Sequence, residues 1–61
     1  MTYEMVNQLD LLAAGYPLAE IAERFEESLS ATKRRQSLIL QELGARNGTH
    51  AVAIAIRDNI V

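Results

Sequence analysis

Sixteen residues, Ser28 to Leu43 (SLSATKRRQSLILQEL), constrain this chain more than any other stretch, because they read as one helix that takes up about a quarter of it. Ser28 is placed to cap its start, with its hydroxyl accepting from an unpaired backbone N–H, and Ser30 competes for that role two residues later. Gly44 is placed to stop it. Ala31, Leu38, Ile39, Leu40 and Leu43 supply apolar contacts to one side, while Lys33, Arg34, Ser37 and Gln41 fall mainly on the other. The spacing predicts a docked helix with a basic front end facing solvent.

A chain of 61 residues makes one domain, 1–61, whose core is small because short chains bury a smaller share of their surface. Aromatic residues make up only 5% of it, a profile that suits small helices packed through Ala, Leu, Ile and Val, so the expected class is all-α. There is no cysteine, which excludes disulfides, thiolate metal sites and cysteine nucleophiles together. No apolar run has the length of a membrane span, and no basic, apolar, small-residue succession marks a cleaved signal. The expected location is the cytoplasm, without a membrane partner.

A net charge of −2 argues against nucleic acid at first sight, since phosphate neutralisation supplies most non-specific affinity. Its distribution argues otherwise. Residues 1–27 carry Arg24 against Glu4, Asp10, Glu20, Glu23, Glu26 and Glu27 and sum to −5, whereas residues 28–47 carry Lys33, Arg34, Arg35 and Arg46 against Glu42 and sum to +3. An acidic scaffold that displays one basic helix is compatible with DNA binding through a single face.

Along the chain, Thr2 is placed to cap a first helix over 3–14, with Met5, Val6, Leu9, Leu12 and Ala13 at helical spacing and Gly15 as a left-handed stop. Pro17 fits the first turn of a second helix, 18–25, whose buried stripe is Leu18, Ile21, Ala22 and Phe25. Glu26-Glu27-Ser28 breaks that pattern before the basic helix, 29–43, begins. Two helices joined by so tight a turn form a helix-turn-helix. After the Asn47-Gly48 turn signal, Thr49 is expected to cap a fourth helix, 50–58, that is apolar on nearly every side. The core predicted from these phases is Leu9, Leu12, Ile21, Phe25, Ile39, Leu40 and Leu43.

The segments LDLLAAGYPLAEIAERF, then Thr32-Lys33, then LGARNGTHAVAIAIRDNIV follow one another without gaps in a pattern that resembles the LuxR/GerE-type helix-turn-helix domain of bacterial transcriptional regulators. The likeness runs from Thr2 to Val61. It implies a four-helix domain that binds double-stranded DNA in the major groove through its third helix and dimerises through its fourth. The chain departs from the family pattern in several places. Glu27 replaces a usually apolar turn residue, Ala31-Thr32 replaces Thr-Val, Arg35 stands where His is common, Gln36 replaces Leu, and Gly48 replaces the second cation of Arg-Asn-Arg-Thr. The changes at Ala31 and Gly48 remove two phosphate contacts, and Glu26 and Glu27 bring carboxylates toward the path of the DNA backbone.

The resemblance assigns base contact to Lys33, Arg34 and Ser37. Arg and Lys suit guanine because they donate to its adjacent O6 and N7 acceptors. Arg35, Arg46 and Thr49 are expected on phosphate, with Thr49 also a helix cap. Read without the resemblance, Lys33, Arg34 and Arg35 are as compatible with a solvated helix face, the usual fate of a short charge run, as with DNA contact. His50 has no second ligand at metal spacing on its helix, and no serine or carboxylate pair lies in a catalytic arrangement, so neither enzyme nor metal nor cofactor is expected. Val52 and Ile56, four apart on the fourth helix, are expected to join two copies, with Ala51, Ala53 and Ala55 permitting close approach. The rival function is a protein-interaction module of the same fold that binds a LuxR-type regulator or RNA polymerase instead of DNA.

Overall fold

The computed structural model describes all residues, 1–61, as four helices and no strand: α1 (Tyr3–Ala13), α2 (Leu18–Arg24), α3 (Leu29–Leu43) and α4 (Gly48–Arg57). Side-chain caps set three of the four starts, while α2 begins directly after Pro17 without one. The Thr2 hydroxyl accepts from the Met5 amide at 3.2 Å, and the Ser28 hydroxyl accepts from the Ala31 amide at 3.1 Å. At α4 the cap is the Asn47 side chain, whose Oδ1 accepts from the His50 amide at 2.9 Å. Thr49 therefore lies inside the first turn, and α4 begins two residues earlier than expected. Asparagine outranks threonine as an N-cap, which explains the shift.

All four helices leave by the same device, one left-handed residue followed by an amide that reaches back five residues. Gly15, Glu26, Gly44 and Asn59 hold φ of 98°, 54°, 66° and 57°. The amides of Tyr16, Glu27, Ala45 and Ile60 then donate to the carbonyls of Leu11, Ala22, Leu40 and Ala55. Gly15 and Gly44 adopt that conformation freely and Asn59 tolerates it, but Glu26 occupies it against its Cβ. The strained residue is the one that turns α2 into α3.

Leu9, Ile39, Ala51 and Ala55 form the centre, bringing α1, α3 and α4 together, with Met5, Leu40, Leu43, Ala45 and Ile60 packed around them. Ile21 and Ala22 of α2 and Ile54 of α4 are also buried. Of the predicted core, Leu9, Ile21 and Ile39 are fully enclosed, whereas Leu12, Phe25, Leu40 and Leu43 are half-buried at the rim. Leu38 does not join the apolar side: it is 48% exposed, on the same outward arc of α3 as Arg34 and Gln41. Ala51 and Ala55 face inward, so these small side chains admit α4 to the core; of the three alanines expected to let two copies approach, only Ala53 remains at the surface. No helix is long and apolar enough to cross a membrane.

Candidate nucleic-acid interface

The inner face of α3 explains how its outer face is held. Thr32, Arg35, Gln36 and Ile39 recur at i, i+3, i+4 and i+7, the spacing of a buried stripe, yet three of the four are polar. Their partners come from α1 and from the turn after α2. Arg35 donates from Nη1 and Nη2 to the two carboxylate oxygens of Glu27, both at 2.7 Å, and from Nη1 to Gln8 Oε1 at 3.0 Å. Gln8 Nε2 in turn donates to Gln36 Oε1 at 2.9 Å and to the Thr32 carbonyl at 3.3 Å. The Thr32 hydroxyl donates to Glu27 Oε2. The Arg35 guanidinium lies over the Phe25 ring, 4.7 Å from its centroid. No buried side-chain nitrogen or oxygen is left without a partner.

This cluster is strongly polarised. The Arg35 hydrogen bonds, then that from Thr32, hold the Glu27 carboxyl down at about 2 against the opposing effect of burial, with the charges of Arg35 and Arg34 adding to them. The same hydrogen bonding to Glu27 raises Arg35. Gly48 belongs to the assembly as well, because a Cβ there would stand 2.8 Å from Gln36 Nε2. Glu27, Thr32, Arg35, Gln36 and Gly48, scattered as departures from the pattern the sequence resembles, thus meet in one place with Gln8. Gln8, Glu27, Thr32, Arg35 and Gln36 form a polar seam beneath α3, and Gly48 packs against it.

Arg35, expected on phosphate, is turned inward instead: its side chain is 18% exposed and its charge is committed to Glu27. Lys33, Arg34 and Ser37, expected on base edges, are all exposed on α3 together with Ser30 and Gln41. Lys33 and Arg34 make no ion pair. The Ser37 hydroxyl donates to the Lys33 carbonyl at 3.3 Å and keeps its lone pairs outward. Arg46, in the loop after α3, is exposed and unpaired; its amide donates to His50 Nδ1 at 3.0 Å, which fixes that loop against α4. Thr49 is exposed and makes no side-chain hydrogen bond, so it is open to a phosphate but does not cap. Val52 is half-buried and Ile56 is 56% exposed, on the side of α4 turned away from the core.

Three residues shape this face in ways not expected from their sequence context: Leu38, expected on the apolar side, stands outside; Asn47, expected only as a turn residue, caps α4; and Gln8 joins the seam from α1. The polar residues at stripe positions of α3 were a signal for the buried seam, and the cap preference of asparagine was a signal at Asn47. Nothing in the sequence marked Gln8 as their shared partner.

The fold and this face define a small all-α domain of four helices that presents two unpaired cations on its longest helix. Comparison with protein-family models, with curated proteins and with solved structures gave no match.

Proposed function

We propose that this chain is a sequence-specific DNA-binding domain of a bacterial transcription regulator, a LuxR/GerE-like helix-turn-helix that works in the cytoplasm with α3 in the major groove. The observation that carries this reading is the division of labour on α3. Arg35 is spent on Glu27 inside, while Lys33 and Arg34, with Ser37 one turn on, stand exposed and unpaired outside. In this reading Lys33, Arg34 and Ser37 meet base edges, and Arg46 and Thr49 meet phosphate. Arg35 is removed from the contact set and becomes a support for the helix.

One copy presents a single α3 and so reads one half-site, and the next major-groove face lies ~34–36 Å along the duplex. A second copy joined through Val52 and Ile56 would supply the other. Fluorescence anisotropy on random duplex over a range of salt tests the reading. Three unpaired cations, Lys33, Arg34 and Arg46, predict that log Kobs falls with log salt with a slope of about −3 per copy. Selection from a random duplex pool should then enrich a palindrome. No binding at low salt would overturn it.

The second reading, a module that binds a LuxR-type regulator or RNA polymerase in place of DNA, is favoured by the exposed carboxylates Glu20, Glu23 and Glu26 on and after α2. They would repel phosphate on that flank. Absence of duplex binding together with capture of either purified protein would select it.

A further inference from the structure

We infer that Leu38 is a specificity-determining residue that reads the 5-methyl group of a thymine; the inference rests on the DNA-binding reading above. Leu38 stands on α3 one turn beyond Arg34 and next to Ser37, and it leaves 48% of its surface open on a face it shares with Ser30, Lys33, Arg34, Ser37 and Gln41 and, one turn further on, with Glu42, whose carboxylate lies 3.5 Å from the N-terminal amine. A single exposed leucine means little by itself, because folded proteins show many. This one is not isolated. With Met5 and Ala31 it forms the apolar floor of an open groove of ≈ 350 Å³ between the start of α1 and α3, and Thr2, Glu4, Arg34 and Arg35 make its polar rim.

In the major groove the only apolar group that a base presents is the thymine methyl, and apolar side chains recognise it by contact. Arg34 beside it carries the donors that suit guanine O6 and N7. Four residues of helix advance ~6 Å, close to two base steps of ~3.4 Å, so a side chain at 38 reaches a base about two steps from the one that Arg34 takes. The structure therefore points to a half-site with a guanine and, within two steps of it, a thymine whose methyl lies against Leu38.

The test uses the whole chain and the duplex enriched from a random pool, with deoxyuridine placed at each thymine in turn. Uracil keeps every hydrogen-bonding group of thymine and lacks only the methyl. One thymine per half-site should lose about 4-fold in affinity on replacement, the worth of one buried methyl, and the others should lose nothing. With Leu38→Ala that difference should vanish, while Lys33- and Arg34-dependent sequence preference persists. Leu38→Gln, which keeps the length of the side chain, serves as a second variant, and a thermal melt of each shows that it is folded. Sequence-specific binding in which no uracil substitution matters, or in which the loss survives both variants, would overturn the role of Leu38 and leave the DNA-binding reading intact. Absence of any sequence preference would overturn both.

Discussion

Arg35 holds Glu27 with a two-pronged grip, Nη1 and Nη2 each 2.7 Å from a different carboxylate oxygen, and in doing so ties the middle of α3 to the turn that leads into it. Both side chains are mostly enclosed, 18% and 17% exposed, so the pair is desolvated enough for its loss to be felt. Breaking a buried pair from one side leaves an uncompensated charge, typically ~3–5 kcal/mol, and this pair sits at the edge of water. Arg35→Ala should cost roughly 2–4 kcal/mol in a urea titration. Arg35→Lys should recover little of it, because a point charge cannot bridge both oxygens and Gln8 as well. Full rescue by lysine would reduce the grip to simple charge attraction.

The same pair gives the chain an acid sensitivity with a defined sign. A carboxyl lowered from 4.5 to about 2 by folding contributes stability that is fully present above 4.5 and is lost as pH falls from there through 2. The urea midpoint of the wild type should therefore drop across that window. Glu27→Gln should begin lower at neutral pH and fall less steeply. Parallel curves for the two proteins would assign the acid loss to other groups.

Glu26 turns α2 into α3 with φ of 54°, a conformation that penalises its Cβ. Glu26→Gly removes the clash at the single position of the four helix exits where neither glycine nor asparagine is present. The expected gain is ~0.5–1 kcal/mol in stability, the αL relief exceeding the entropy that glycine adds to the unfolded chain. A lower melting temperature would show that the Glu26 side chain makes a contribution larger than its strain.

Gly48 and Gln36 should be energetically coupled. Alanine at 48 improves the first turn of α4 but brings a methyl toward Gln36 Nε2, whose amide is anchored on Gln8. Gly48→Ala should therefore be less favourable in the wild type than in a Gln36→Ala background, by on the order of 1 kcal/mol in a double-mutant cycle. Additive effects would mean that the Gln36 amide swings aside freely.

The outward stripe of α4 predicts self-association. Val52 and Ile56 are four residues apart on the side that the core does not use, and Ala53 between them is small and exposed. Val52→Glu with Ile56→Glu should shift sedimentation to a monomer and weaken binding to a two-half-site duplex far more than to a single half-site. A wild type that stays monomeric at high concentration removes this interface.

Most helix ends were legible in the sequence, because caps and left-handed exits are hydrogen bonds between residues three to five apart; the Asn47 cap of α4 and the left-handed Glu26 that ends α2 were not. Thr2, Ser28, Gly15 and Gly44 announced theirs, and α3 spans the range its caps predicted. The exposed positions of Lys33, Arg34 and Ser37 followed from the same periodicity. The direction taken by Arg35 did not. Its choice between solvent and interior depended on Glu27, eight residues away, and on Gln8, 27 residues away on another helix, and no local rule brings those three together. The phase of α4 was equally closed to inspection, since a helix apolar on nearly every side offers several faces for burial. Packing against α1 and α3 chose the face that carries Ala51 and Ala55, whose small side chains let the backbone come close, and so left Ile56 outside.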